Sequence, residues 1–210
     1  TVLRADCTSM AAHSSLAPLA VNAVHLACDL VSAIRSRQQS IIETGTHDEA
    51  YNIPYTTLHV GRIEGGVQVN IVPQEASLEF EIRNLAGDDP AILIEAITQD
   101  IAPVIAAAQK TSPEADIRLT VVNSYPGLET ALDERVVALL RDLTGVNATC
   151  KVAFGTEGGL FARDLGIPTV VCGPGSMDQG HKPDEFVSLE QLASCDAMLT
   201  ALNARLAAGL

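Results

Sequence analysis

His181 lies in Gly173–Val187, GPGSMDQGHKPDEFV, among small residues and prolines and just after an apolar run. A neutral imidazole is a good zinc ligand, and loops at the carboxyl ends of α/β strands are where ligands bind. Asp184 and Glu185 are near enough in sequence to orient the ring or support it through a hydrogen bond. No other His, Cys or carboxylate shares a recognised metal spacing with it, such as HExxH. Residue types alone therefore leave a plain surface-loop histidine as an open alternative. His13, before Ser14 and Ser15, reads on its own as a loop histidine capping the helix that follows. Arg83 shares the polar positions of a strand with Glu79 and Glu81. The simplest account there is a cross-strand ion pair contributing under about 1 kcal/mol on a surface. Gly155 and Thr156 read as a strand-to-helix turn and N-cap. His25, His47 and His59 read as helix surface, loop and strand.

The elements that must position these residues fall into two groups. Residues 2–8 read as a strand. Val21, Val24, Cys28, Val31 and Ile34 then recur in steps of three and four, the stripe of an amphipathic helix. A strand follows at roughly 56–63, with a turn at Glu64-Gly65-Gly66. Val67, Val69 and Ile71 alternate with Gln68 and Asn70; after Pro73, Leu78, Phe80 and Ile82 alternate with Glu79, Glu81 and Arg83. Asp88-Asp89-Pro90 supplies an N-cap with proline in the first turn. The helix it starts runs towards Gln109, with a kink or break expected at Pro103. Ile117, Leu119 and Val121 alternate again. The order β-α-β-β-α-β predicts a ferredoxin-like, split βαβ domain: a four-stranded antiparallel sheet with two helices, over 1–126.

From 127 to 210 strands and helices alternate, the pattern of an α/β layer. Thr130 is placed as a helix cap, and Gly145 just past that helix's end. Short strands are expected at Thr149–Ala153 and Ile167–Cys172, a helix stopping at Gly166 between them, and a Ser188/Gln191 capping box for the last helix. Phe161 and Phe186 are expected in the core. Two strands are too few for a complete sheet, and Thr1 begins on a strand already under way, so the chain is expected to be truncated at its amino end.

Composition narrows the partners. The formal net charge of −13 repels phosphate backbones and argues against nucleic acid. The five cysteines are scattered and read as buried, reduced residues of a cytoplasmic protein. No run of about 18 apolar residues is apparent, so no membrane span is expected.

Several segments carry a resemblance to a family. FGTEGGLFARDLGIPTVVCGPGSMDQGHKPDEFV (154–187), AAHSSLAPLAVNAV (11–24), VNIVPQEASLEFEIRNL (69–85) and SYPGLET (124–130) occur in the family's order. They resemble the dinuclear zinc family of aminoacylases, desuccinylases and carboxypeptidases, and within it the acetylornithine deacetylase branch. The resemblance implies a dimerisation domain followed by the carboxy-terminal part of an α/β zinc-hydrolase catalytic domain. It implies hydrolysis of an N-acyl amino acid amide by two zinc ions (cobalt being possible), with N2-acetyl-L-ornithine the best substrate and arginine biosynthesis the setting. By the same resemblance His181 is the last metal ligand, and the other ligands and the catalytic Glu lie upstream of these 210 residues, leaving the chain inactive by itself. His13 reaches into the partner subunit's site of a homodimer to hold the oxyanion. Arg83 grips the substrate carboxylate, Asn70 faces the substrate, and Gly155 and Thr156 line its pocket. A desuccinylase, an aminoacylase, a dipeptidase or a non-enzymatic dimerisation module stay open as alternatives.

Overall fold

The computed structural model describes residues 1–176, 178–180 and 182–209. By its internal contacts the chain divides into two units. The first is Thr1–Gly127 with Lys151–Gly155, the second Leu128–Cys150 with Thr156–Leu210.

The first unit is built on four antiparallel strands. They are β1 (Val2–Thr8), β3 (Thr57–Gly65), β5 (Glu75–Arg83) and β6 (Asp116–Asn123), in the order β3-β5-β1-β6. Two-residue strands β2 (Ala12–His13) and β4 (Ile71–Val72) pair separately. Helices α1 (Ala23–Thr44) and α2 (Pro90–Ala108) complete the βαββαβ order, so the expected α+β, ferredoxin-like architecture stands. Along β5 the alternation settles which face is which. Ala76, Leu78, Phe80 and Ile82 are buried, and Glu75, Ser77, Glu79, Glu81 and Arg83 take the other face. Leu3, Ala5 and Cys7 of β1 join them against α1 and α2.

The face of α1 that enters the core differs from the expected stripe. Ala23, Leu26, Ala27, Leu30, Ile34 and Ile41 are buried, whereas Cys28 is exposed and Val24 and Val31 lie at the margin. Two apolar rows run side by side on this helix. The row with the larger leucine and isoleucine side chains removes more apolar surface from water and takes the centre. Gly65 allows the close approach, since a Cβ there would stand 2.7 Å from the Ala76 Cβ and 2.8 Å from Val24 Cγ2.

The expected strand at Val67 and Val69 is absent. Gly66, at φ +78°, ends β3, and residues 67–70 form a turn closed by Ile71 N–H on the Gln68 carbonyl at 3.2 Å. Both valines stay exposed. The N-cap of α2 is as expected, with Asp89 Oδ1 accepting from Ala91 N–H at 2.8 Å and Pro90 beside it. The helix is not interrupted at Pro103, which is exposed, so water can serve the carbonyl that proline leaves without a donor. At 19 residues and a mean hydropathy of 1.6, α2 is long and apolar enough to cross a membrane, contrary to the expectation from the sequence. Here its Ile97 and Ile101 sit in the domain core, and its Asp100 takes a two-pronged bond from Arg37 of α1.

The second unit holds α3 (Arg135–Thr144), α4 (Gly158–Leu165) and α5 (Leu189–Ala208), with α3 packed on α5. Gly145 and Gly166 end their helices in the left-handed conformation, as expected. The expected cap at Thr130 is not formed. Its hydroxyl donates to the Thr169 carbonyl at 2.5 Å, and α3 starts later, with Glu134 at its N-cap. Only half of the capping box exists. Ser188 Oγ accepts from Gln191 N–H, but the Gln191 side chain accepts from Gly175 N–H at 2.7 Å instead. Thr149–Ala153 and Ile167–Cys172 are not strands. Neither has a neighbouring strand among the described residues, and without a ladder an apolar run stays irregular. Phe161 and Phe186 are exposed, which corrects their expected burial.

Of the cysteines only Cys7 is buried; Cys28, Cys150 and Cys172 are exposed and Cys195 is half-buried. Burial pushes the Cys7 thiol up to about 12, with the Asp6 and Asp116 carboxylates adding to the effect. A raised thiol value means that, above the unfolded value of 9.0, the unfolded chain loses a proton that the folded chain keeps. Stability should therefore fall as the pH rises from 9 towards 12, by up to ~1.4 kcal/mol per pH unit. Urea unfolding at stepped pH should show a steeper decline for the wild type than for Cys7→Ala; parallel curves would contradict it.

Candidate functional site

β2 and β4 bring two of the expected site residues together. His13 pairs with Ile71 in register, and Ser14 N–H donates to the Asn70 carbonyl at 3.0 Å. His13 is exposed and precedes a 3₁₀ turn, Ser14–Leu19, not α1, which Asn22 caps by accepting from Val24 and His25 N–H. The His13 Nδ1 accepts the Ser15 backbone N–H at 3.2 Å and lies 2.8 Å from the Ser15 hydroxyl. A backbone N–H can only donate, so Nδ1 carries the lone pair and the ring proton sits on Nε2. In the neutral ring this arrangement leaves Nε2–H as a hydrogen-bond donor. Ser15 was not singled out from the sequence, although its adjacency to His13 was the available signal.

Arg83 stands at the far end of β5. Its Nε donates to Glu81 Oε1 at 2.8 Å, an ion pair along its own strand where a cross-strand pair was expected, and its Nη1 donates to the Ala153 carbonyl at 3.1 Å. Half of its side chain is exposed, at 51%. Ala153 lies two residues before Gly155, so Arg83 and Gly155 form a second local group. Thr156 Oγ1 accepts the Gly158 N–H at 3.2 Å, but the expected cap falls one residue later: Glu157 is the N-cap of α4 and makes no side-chain capping bond.

The two groups occupy opposite ends of one strand. Glu75 to Arg83 is eight residue steps, about 26 Å at 3.3 Å per step. Asn70 and His13 lie beyond the Glu75 end. Within one chain, His13 and Arg83 therefore do not share a small ligand.

His181, the expected metal ligand, lies outside the described residues. Among the described residues no group of three or more His, Cys, Asp or Glu side chains is placed to hold a metal ion. These residues by themselves do not make a metal centre. Lys151 was not foreseen either: its Nζ bonds Asp48 Oδ2 at 2.6 Å across a separation of 103 residues, which leaves no local signal to read.

Residues 3–108 match the family model for the peptidase dimerisation domain of the M20 family. Acetylornithine deacetylase from Salmonella heidelberg is 33% identical over 191 residues, covering 90% of this chain and 47% of the relative. The chain thus spans about half the length of the curated relatives it matches. Among solved structures, a Staphylococcus aureus tripeptidase superposes with a TM-score of 0.71 at 24% identity, over 94% of this chain and 49% of its own. An M20 family metallo-carboxypeptidase from Sulfolobus solfataricus gives 0.62 at 17% identity, over 94% and 56%. At those identities the likeness is one of fold.

The tautomer is directly testable. Ring nitrogen shifts of ¹⁵N-labelled histidine, recorded where His13 is neutral and assigned with His13→Gln, should place its proton on Nε2. A proton on Nδ1 would contradict the Ser15 contact.

Proposed function

This chain belongs to the M20 peptidase family through its dimerisation domain, and on that premise we propose that it is part of a metal-dependent hydrolase of N-acyl amino acids. The substrate we assign is N2-acetyl-L-ornithine, cleaved to L-ornithine and acetate in arginine biosynthesis. The names of the 30–33% identical relatives support that assignment. The observation that carries the reading is the division of site residues between the two ends of β5. A small N-acyl amino acid cannot bridge about 26 Å. If His13 and Arg83 serve one substrate, they come from different protomers, which suits a two-fold homodimer.

In that arrangement Arg83 of one protomer holds the substrate carboxylate beside its own Gly155 and Thr156. The partner contributes His13, with Asn70 next to it. The His13 Nε2–H donates to the oxygen on which negative charge builds as the amide carbonyl is attacked. A donor already aimed at that charge lowers the barrier without reorganisation. Arg83 suits a carboxylate because its guanidinium presents several N–H groups in one plane. The metal, zinc in our assignment with His181 as one ligand, needs further ligands beyond the described residues, and residues 1–210 alone are expected to hydrolyse nothing. The domains we assign are 1–126 for dimerisation and 127–210 for the catalytic part, in a cytoplasmic protein. Its cysteines are all free.

Steady-state kinetics of the full-length enzyme provide the test. N2-acetylornithine should be preferred by kcat/KM over N-succinyl-diaminopimelate and N-acetylmethionine; preference for either of the others would overturn the substrate assignment. His13→Ala should lower kcat by about 10² to 10³ with KM little changed, and Arg83→Lys should act mainly by raising KM. Full activity in His13→Ala would remove the oxyanion role.

A further inference from the structure

Lys151–Gly155 counts with the first unit, although the chain on either side of it belongs to the second. The segment is in neither a helix nor a strand, so no ladder of backbone hydrogen bonds fixes its course. Side chains hold it at Lys151 and at Ala153, among the described residues. Lys151 Nζ bonds Asp48 Oδ2 at 2.6 Å and stands 5.4 Å from the centre of the Tyr51 ring, a cation over an aromatic face. Both charged side chains are about two-thirds covered. Two residues on, the Ala153 carbonyl accepts from Arg83 Nη1 at 3.1 Å.

The loop carrying Asp48 is itself organised for this grip. Asp48 N–H donates to the Pro54 carbonyl at 2.7 Å, Tyr51 N–H to the Asp48 carbonyl at 3.2 Å, and Ala50 N–H to Asp48 Oδ1 at 2.9 Å. The His47 and Tyr55 rings meet edge-on across the same loop, 5.7 Å apart. The hydrogen bond from Lys151, with help from Ala50 N–H, holds the Asp48 carboxyl below its ordinary value, so the carboxylate stays charged and paired at neutral pH. On Arg83, Glu81 occupies Nε and Ala153 occupies Nη1, and Nη2 is bonded to nothing among the described residues.

We propose that Lys151, gripped by Asp48 and Tyr51, and Arg83, bonded to Ala153, form a two-point anchor that positions the backbone leading into the Gly155–Thr156 turn. Arg83 then has two tasks on one guanidinium. Nη1 fixes the segment leading to Gly155, and Nη2 is left for the substrate carboxylate. The second task rests on the function proposed above; the anchor itself does not. Lys151 is a positioning residue, acting on substrate only through the segment it holds.

Backbone ¹⁵N relaxation of this chain tests the anchor. In the wild type, amides 151–157 should have order parameters near those of rigid backbone, about 0.85. Lys151→Met, which keeps the length of the side chain and removes its charge, should lower them below about 0.6. Lys151→Arg should restore them, and the amides of β5 should not change in either variant. Should Lys151→Met fail to fold, Asp48→Asn removes the same charge pair and is read in the same way. Values for 151–157 that are equal in wild type and Lys151→Met, or already low in the wild type, would overturn the anchor.

In the full-length enzyme Lys151→Met should cut kcat/KM for N2-acetylornithine roughly tenfold, with kcat and KM both affected. Loosened amides with unchanged kinetics would overturn the positioning role. A wild-type enzyme inactive on every N-acyl amino acid tried would defeat the proposed function, while relaxation would still decide the anchor.

Discussion

The alternation of apolar and charged residues along Glu75–Arg83 is the constraint on which the rest of the first unit depends. Leu78, Phe80 and Ile82 must all face one way to be buried together, and a slip of one residue would expose all three. With that face fixed against α1 and α2, β5 pairs with β1 on one side and β3 on the other. Its two ends then become the positions of the candidate residues His13, Asn70 and Arg83. Pro73 and Gln74 lead back to β4, which places Asn70 beside His13. At the other end Arg83 emerges on the charged face, next to Glu81 and the Ala153 carbonyl.

That geometry sorts the candidate residues into two groups. His13 and Asn70 are neighbours because a two-residue ladder joins their strands. Arg83 lies against the segment leading to Gly155 because its guanidinium reaches the Ala153 carbonyl. The separation of the two groups follows from strand length alone and does not depend on side-chain conformation. The tautomer of His13, by contrast, depends on one local contact, from the backbone of Ser15. A rigid sheet thus sets the long distance, and a single turn sets the donor.

Local signals in the sequence match the structure where the structure depends on nearby residues. The Asp89 cap with Pro90, the helix ends at Gly145 and Gly166, and the two-faced β5 each depend on residues a few positions apart. The expectations that failed needed a partner. Val67 and Val69 alternate as a strand would, but the turn after Gly66 leaves no neighbour to pair with. Thr130 has the surroundings of a cap, yet its hydroxyl donates to the Thr169 carbonyl, 39 residues away. Lys151 with Asp48 had no local signal at all, and neither did the bond from Arg83 to Ala153. Of the candidate site, His13, Asn70 and Arg83 were legible as residues from resembling motifs; that they fall into two groups was legible only in the fold.

The central claim is that one substrate is served by Arg83 of one protomer and His13 of its partner. Mixing His13→Ala and Arg83→Ala full-length subunits under conditions that exchange protomers tests it most directly. Each variant alone should be nearly inactive on N2-acetylornithine. In a mixed dimer one site carries both substitutions and the other carries neither. The account therefore predicts recovery to roughly a quarter of wild-type activity when the two are mixed in equal amounts. No recovery above the sum of the two variants, with exchange of protomers verified, would contradict it.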